Sequence, residues 1–320
     1  MSGNVDEWKV PTSVAGWAAD DLRPDQPIVV EILRDGLVTQ SLLANNYRQD
    51  LELAGLGNGR HGFHAHLNPQ ICTGAKVLEV RGKFLQGAAT LNNGLHLFVP
   101  ADQLPKAYQH KLSQQRWQGY ESPEHLTWGR IWTGDTFVDF VSSNFQFTPS
   151  SRIAEVGPGY GRILKTILDR GLPFKEYVGL ELSERRVAEL SRTFADSRVR
   201  FTCADILTAG PAPDSTDLFL ASSTFEHLYP DCLPALKNVY VSLDKNGVAV
   251  IDFVEPQGKK TGGTFHENEA GTYVRIYSPE ELENLFLMAK LKIIKKSQIT
   301  LGTGATGEVR RIAVVAAPKL

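Results

Sequence analysis

The chain has 320 residues, 42% hydrophobic and 22% charged, so it can bury a substantial core and is long enough for two domains. Its formal charge of −2 offers no cationic footprint for nucleic acid. The three cysteines form no CxxC pair, which argues against a disulfide framework and a cysteine-held zinc site. No apolar run approaches the roughly 18 residues of a membrane span, and a cytoplasmic location is expected.

The first half predicts an all-β domain after an amino-terminal tail, residues 1–12. Residues 13–100 contain short β-type runs such as PIVVEILRDG and LVTQSLLANN, with Asp35-Gly36 as a two-residue turn and Asn93-Gly94 as another. Regular short strands of this kind predict a small antiparallel β-sandwich. Residues 101–149 are rich in Gln, Trp and charged residues, and they predict a helical connector or cap.

Residues 150–320 alternate predicted strands with predicted helices. Runs such as RIAEVG, YVGLELS and GVAVIDFV are extended and apolar, and the segments between them have helical spacing. This alternation predicts βαβ units and a parallel sheet covered on both faces. The last two strands, LKIIKKSQIT and VRRIAVVAAP, are joined by a loop too short for a helical crossover, so they should be antiparallel. The predicted fold class is α/β with a closing antiparallel strand, preceded by an all-β domain.

The stretch AEVGPGYGR places Gly157, Gly159 and Gly161 between a predicted strand and a predicted helix. A nucleotide-phosphate loop would need Lys and then Ser or Thr after its last glycine, but Arg162 follows here. The spacing also misses the GxGxxG of a dinucleotide turn, because Arg162 occupies the third glycine's position. The loop therefore predicts close approach of the backbone to another ligand, or only a tight strand-to-helix turn.

Acidic residues follow the next strands in a regular order. Glu181 ends the second strand, where a carboxylate can accept hydrogen bonds from ribose hydroxyls. Asp205 follows the third strand and is placed to accept from an adenine amino group, with Ile206 packing on the ring. Glu155 can orient the loop or a cationic amino group. Each acid alone would more often be a solvated strand end, but the ordered set predicts a nucleoside site.

With these motifs, residues 150–320 resemble a Rossmann-like, class I S-adenosylmethionine-dependent methyltransferase. EVGPGYG is similar to its glycine motif, GLELS to its ribose motif, CADIL to its adenine motif and ASSTFEHL to the motif after the fourth strand. The resemblance covers the second half and implies S-adenosyl-L-methionine as cofactor. The residues it implies for cofactor binding are Glu155, Gly157, Gly159, Gly161, Glu181, Leu182, Asp205, Ile206 and Ser222.

Methyl transfer to a hydroxyl also needs a group that removes the acceptor proton. His227, just past the fourth strand, is the candidate general base, because imidazole titrates near neutral pH. The alternatives are that His227 caps a helix or holds the cofactor. On the acceptor side, a lid segment over residues 262–277 would supply His266, Tyr273 and Arg275. Trp128 and Trp132 in the connector would close the other side, although a tryptophan pair at i and i+4 more often packs in a core or along a helix.

Two histidines in the first half are candidate metal ligands. His64 and His66 share one face of a predicted strand, but no acidic partner accompanies them. No carboxylate cluster of the kind that holds a metal in some sugar methyltransferases is evident. We therefore expect no metal in this protein.

Residues 14–68 resemble β-sandwich modules found beside glycosyltransferases and other enzymes of bacterial surface-polysaccharide assembly. Gly16-Trp17, the RQDL stretch and GRHGF carry the likeness. The association implies a glycan or a nucleotide-linked or lipid-linked sugar as acceptor. Three functions stay open: an O-methyltransferase of a sugar or related metabolite, a methyltransferase of an unrelated small molecule or peptide nitrogen, and a non-catalytic cofactor-binding platform. In the second case the module would be a scaffold or would make a homodimer.

Overall fold

A computed structural model describes residues 2–100, 103–105, 107–109, 111–112, 117, 134–228, 231–256, 266–267, 273–304 and 307–318. The chain divides into two compact units, Met1–Leu112 and Ser113–Leu320. The first unit extends past the predicted boundary at residue 100, because Leu104 and Tyr108 pack with Val77 in a small apolar cluster. No helix in the described part of the chain is long and apolar enough to cross a membrane.

In its described residues up to 100, the first unit is all-β apart from one short helix and one 3-10 turn. Its described elements are β1 (Ser2–Lys9), β2 (Ser13–Ala19), β3 (Ile28–Arg34), β4 (Leu37–Ala44), β5 (Asn46–Tyr47), α1 (Gln49–Leu53), β6 (Arg60–His66), a 3-10 helix (Pro69–Ile71), β7 (Val77–Phe84) and β8 (Gly87–Leu97). The strand order is β4-β3-β7-β8-β1-β2-β6-β5. Because β4 also lies near β2 and β6, the sheet folds over one core that includes Val30, Phe63 and Leu78.

Two sequence predictions for this unit are wrong and one is confirmed. Ser2–Lys9 is not a tail: it forms β1, which pairs antiparallel with β2 and places Val5 in the core. Asn93-Gly94 is not a turn between strands but lies inside β8, where positive φ at Asn93 accompanies a shift in register against β7. Asp35-Gly36 does connect β3 to β4, with both residues at positive φ as a tight hairpin requires.

The second unit contains a sheet with the described order β11-β10-β9-β12-β13-β17-β16. The strands are β9 (Arg152–Val156), β10 (Glu176–Glu181), β11 (Val199–Cys203), β12 (Thr216–Ala221), β13 (Leu243–Val254), β16 (Leu291–Gly304) and β17 (Gly307–Pro318). β9 to β13 are parallel, and β17 runs antiparallel between β13 and β16, as predicted. The Rossmann-like α/β fold is therefore confirmed.

Helices cover this sheet. They are α2 (Asp135–Ser142), α3 (Arg162–Asp169), α4 (Glu184–Thr193), a 3-10 helix (Phe225–His227), α5 (Leu233–Ser242) and α6 (Pro279–Met288), and a two-stranded ribbon of β14 (His266–Glu267) and β15 (Tyr273–Val274) precedes α6. Ile153 and Ala154, neighbours on β9, enter separate apolar cores. The sheet is therefore buried on both faces, which explains its continuous apolar runs. Successive strands run outward from β9 in both directions, so the chain order reverses there and opens a crevice at the strands' carboxyl ends.

Candidate active site

The glycine loop between β9 and α3 holds three glycines in the left-handed region, with φ of 66° at Gly157, 60° at Gly159 and 79° at Gly161. A Cβ at Gly157 would lie 2.5 Å from Thr224 Oγ1, and one at Gly161 would lie 2.2 Å from the Phe194 ring. Those two glycines therefore permit tight packing as well as the turn. A Cβ at Gly159 would meet nothing within 4 Å, so this glycine presents bare backbone to open space.

Glu181, at the end of β10, points its buried carboxylate at this loop. Oε2 accepts from the Gly159 N–H at 3.3 Å and Oε1 accepts from the Ser183 N–H at 3.1 Å. Arg186 Nη1 lies 3.6 Å from Oε1. Burial raises the pKa of Glu181, and the Arg186 cation opposes that rise. The predicted ribose acid is thus adjacent to the predicted glycine loop.

Asp205 follows β11 and lies beside Glu181. The Ala204 N–H donates to the Glu181 carbonyl at 3.0 Å, which ties the two strand ends together. Asp205 Oδ1 accepts from the Leu207 N–H at 2.9 Å, and the side chain of Ile206 is buried in the core next to it. Leu182 is half-buried between the two acids in the chain. The structure therefore brings the loop, Glu181 and Asp205 to one edge of the sheet.

Glu155 is buried on β9 beneath the loop. The Tyr177 hydroxyl donates to Glu155 Oε2, which links β9 to β10. Burial raises the pKa of Glu155 to about 7, although the Tyr177 hydrogen bond and the Arg162 charge oppose the rise. This placement is consistent with orienting the loop. Binding of an amino group by Glu155 stays a prediction.

Arg162 contributes a donor that sequence reasoning missed. Its Nη2 donates to Ser222 Oγ at 2.6 Å, and Ser222 Oγ donates to Asp252 Oδ2 at 2.5 Å. Its Nη1 is buried and has no hydrogen-bond partner among the described residues. In the sequence, Arg162 stands where a dinucleotide turn has its third glycine, and a cation at the first residue of a helix that follows a ligand loop is itself a signal.

Arg311 on β17 is the second functional candidate that the sequence did not reveal. Its guanidinium lies 2.6 Å from Asp252 Oδ1 and 2.7 Å from Glu226 Oε1, and all three side chains are fully buried. Burial opposes ionisation of Glu226, but the Arg311 charge overcomes it and the pKa of Glu226 is lowered. Glu226 is therefore a carboxylate in the interior, and its Oε2 has no hydrogen-bond partner in the described part of the chain.

His227 lies at the end of the 3-10 helix, directly after Glu226. Its Nε2 is 3.9 Å from Glu226 Oε1, and its ring centroid is 4.5 Å from that of Trp117. Thr224, three residues earlier, donates from Oγ1 to the Val156 carbonyl at 3.3 Å. The segment that carries His227 therefore packs directly on the entry to the glycine loop.

Of the residues predicted on the acceptor side, Arg275 is the one whose side chain the structure describes. The Arg275 guanidinium pairs with Glu281 and stacks over the Tyr277 ring at 5.1 Å, while its backbone N–H donates to the Glu226 carbonyl at 2.8 Å. Arg275 thus ties the lid segment to the His227 segment. His266 and Tyr273 lie on β14 and β15 by their backbones. Their side chains and Trp132 lie outside the described residues.

No group of three or more His, Cys, Asp or Glu side chains suited to a metal occurs in the described part of the chain. His64 and His66 contact each other, with ring centroids 4.8 Å apart, on the exposed side of β6. The ionised Glu226 is already compensated by Arg311. The open face at Gly159, the Glu181 carboxylate and the orphaned Arg162 donor instead fit a ligand with ribose hydroxyls and a carboxylate.

A family model described as a methyltransferase domain matches residues 154–249. The crystal structure of Burkholderia thailandensis 1,6-didemethyltoxoflavin-N1-methyltransferase, with S-adenosylhomocysteine bound, aligns with TM-score 0.53 and 16% identity over 71% of this chain and 96% of that one. A Leishmania major S-adenosylmethionine-dependent methyltransferase aligns with TM-score 0.52 and 18% identity over 74% of this chain and 96% of that one. These likenesses establish the fold. No curated protein sequence matches the chain.

The matched region spans the glycine loop, Glu181, Asp205 and His227, and the sheet around it has the fold of the two crystal structures. The chain therefore carries a methyltransferase domain with a class I, Rossmann-like fold.

Proposed function

We propose that this enzyme methylates a hydroxyl group of a sugar or glycan-related small molecule, with His227 as the general base. The observation that carries the proposal is the position of His227: beside the glycine loop's packing partner Thr224, and between the Glu226 carboxylate and the Trp117 ring. A carboxylate next to an imidazole stabilises the imidazolium that forms when a proton is taken up.

Cofactor binding in this proposal uses residues at the carboxyl edge of the sheet. Glu181 would accept from the ribose hydroxyls, Asp205 from the adenine amino group, and Arg162 Nη1 would donate to the carboxylate of the methionine moiety. The bare backbone at Gly159 leaves room for that approach. S-adenosylmethionine, when bound, supplies a methyl group that its sulfonium already activates.

The chain's own residues then align the acceptor and handle its proton. Alignment with exclusion of water supplies much of the rate in a reaction whose methyl group is already activated. The Trp117 ring lies against the His227 ring at a tilt of 58°, and the His227 side chain is buried. His227 would take the hydroxyl proton as the methyl group passes from the sulfonium sulfur to the acceptor oxygen and leaves a neutral thioether. Glu226 would then balance the positive charge on the imidazolium.

The sugar preference rests on the first unit and not on the methyltransferase domain. Its RQDL and GRHGF stretches are the ones that resemble modules beside polysaccharide enzymes, and in the structure both belong to the α1 and β6 region. Arg48 there pairs with Asp6 and Asp50, which fixes the turn that carries the motif. We therefore expect a glycan, a nucleotide-linked sugar or a lipid-linked sugar as acceptor.

His227→Ala tests the base. Turnover should fall by about 10² to 10⁴, the range for removal of a positioned base, while the cofactor Kd and the Tm stay near those of the parent. Turnover is followed by mass spectrometry as the gain of one CH2 on the acceptor, and binding by calorimetry. His66→Ala, at an exposed histidine of the first unit, is the matched control.

Two results would contradict the proposal in different ways. Turnover of His227→Ala within about threefold of the parent would remove His227 as the base. Methylation of nitrogen acceptors without any methylation across a panel of free, nucleotide-linked and lipid-linked sugars would overturn the sugar hydroxyl and leave the methyltransferase assignment intact.

A further inference from the structure

We propose that Arg311 and Glu226 are positioning residues that hold His227 in its catalytic orientation and stabilise its protonated form. This inference rests on the proposed role of His227 as base. Arg311 does not touch His227 itself: it acts through Glu226, whose Oε1 lies 2.7 Å from Arg311 Nη1 and 3.9 Å from His227 Nε2.

The pair belongs to a continuous polar chain between the glycine loop and His227. Arg162 contacts Ser222, Ser222 contacts Asp252, and Asp252 contacts Arg311, at 2.6, 2.5 and 2.6 Å between the nearest atoms. Asp252 Oδ1 also accepts from the Ser223 N–H at 2.9 Å. The chain therefore fixes the strand end at Ser222 on one side and Glu226 on the other, with Arg311 as the only contact that reaches both carboxylates within the described residues.

Burial of the charged side chains in this polar chain costs free energy, and a role in the site explains why the protein keeps them. Removing an ion from water costs several kcal/mol, and an apolar replacement of a buried pair is often neutral or stabilising. Ala313 and Val314, on the same strand as Arg311, are buried apolar residues that need no such compensation. Stability alone gives no reason for an arginine at this position, whereas a fixed carboxylate beside a base does.

The charged groups around His227 predict in which direction the pKa of the base changes when Glu226 loses its charge. Glu226 lies on the same 3-10 helix, with Oε1 3.9 Å from His227 Nε2. Arg311 on β17 pairs with Glu226 and with Asp252 on β13, and the Arg275 backbone after β15 donates to the Glu226 carbonyl. Glu226 is the nearest, and an opposite charge at this range favours the charged imidazole. Removal of the Glu226 charge leaves Arg311 partly uncompensated, so both changes disfavour the imidazolium and lower the pKa of the base.

Glu226→Gln tests this inference through the pH dependence of kcat/KM. We expect the acid limb, below which His227 is protonated, to move to lower pH by about one unit, and kcat to fall about tenfold. Asp217→Asn removes the same charge at the opposite end of β12, where Asp217 pairs with Arg152, and should leave the limb in place. A merely structural role for Glu226 would lower activity without moving the limb.

Arg311→Lys supplies a second readout in a chain that keeps the buried positive charge. Lysine loses the planar fork that contacts both carboxylates, so kcat should fall while the cofactor Kd stays unchanged. Parent-like kcat in Arg311→Lys, or an unmoved acid limb in Glu226→Gln, would overturn the inference. If His227→Ala remains inactive in either case, the proposed function stands; if His227→Ala is active, the proposed function fails first.

Discussion

The two units treat their buried carboxylates differently. In the first unit, Glu31 is buried, but its partners Arg81 and Lys83, at 2.7 and 2.6 Å, keep side-chain exposures of 29% and 53%. In the second unit, the Glu226–Arg311 pair has side-chain exposures of 0% and 2%. A buried charge whose partner stays exposed to water costs little free energy, and the pair stabilises the sheet. A pair wholly removed from water costs far more, and in this protein it lies at the edge of the sheet that carries the candidate active site.

The largest expected difference is in stability. Arg311→Met leaves Glu226 and Asp252 buried without their cation, and should lower the free energy of unfolding by about 3–5 kcal/mol. Arg81→Met leaves Lys83 on Glu31 and should cost about 0–1 kcal/mol. Urea unfolding of the two full-length variants measures both values. Equal losses would show that the two kinds of pair are energetically alike and would remove the contrast between the units.

A smaller effect is expected on cofactor affinity. Glu181→Ala should weaken binding of S-adenosylmethionine by about 1.5–3 kcal/mol, the scale for hydrogen bonds to a charged group. Asp205→Ala should cost less, because in the proposed site the apolar contact with Ile206 would still hold the adenine. Calorimetry with the cofactor gives both values.

Two further variants define what the Glu181 result means. Glu181→Gln keeps an acceptor for the Gly159 N–H and separates the charge from the hydrogen bond. Glu79→Gln, at a buried carboxylate of the first unit that pairs with Lys111, is the control and should not change the affinity. An unchanged Kd in Glu181→Ala would make the ribose assignment wrong.

The finest test is the pH dependence of stability. Burial raises the pKa of Glu155 from 4.5 to about 7, so the folded state binds this proton more tightly than the unfolded chain. Protonated Glu155 therefore stabilises the folded state fully below about pH 4.5, and this stabilisation is lost as the pH rises through about 7. Hydrogen bonds from Lys83 and Arg81 lower the pKa of Glu31, so its contribution is present above its ordinary pKa and is lost on acidification.

Glu155→Gln should flatten the fall in stability of the ligand-free protein between about pH 5 and 7, and Glu31→Gln should flatten the loss in acid. Urea titrations at a series of pH values measure both slopes. A slope that Glu155→Gln leaves unchanged would show that this carboxyl ionises in the folded state as it does in water.

The sequence predicted the glycine loop, Glu181 and Asp205 because each motif is local: a strand, a turn with positive φ and an acid at the next strand end. It missed Arg311 and Asp252, which are 59 positions apart and meet only because β17 lies beside β13. It did not single out Trp117, which packs on His227 in the structure. Trp132, the tryptophan that it favoured, lies outside the described residues and stays a prediction.

By itself, the sequence determined the α/β class, the antiparallel closure and the methyltransferase motifs, because apolar periodicity and turn chemistry are properties of neighbouring residues. Only the tertiary structure decided that Ser2–Lys9 joins the first sheet and that Arg311 pairs with Glu226 beside His227. Those outcomes depend on strand order and register, which are set by packing between segments far apart in the chain. The partners of a buried charge such as Arg311 can be identified only once the strands that carry them are placed side by side.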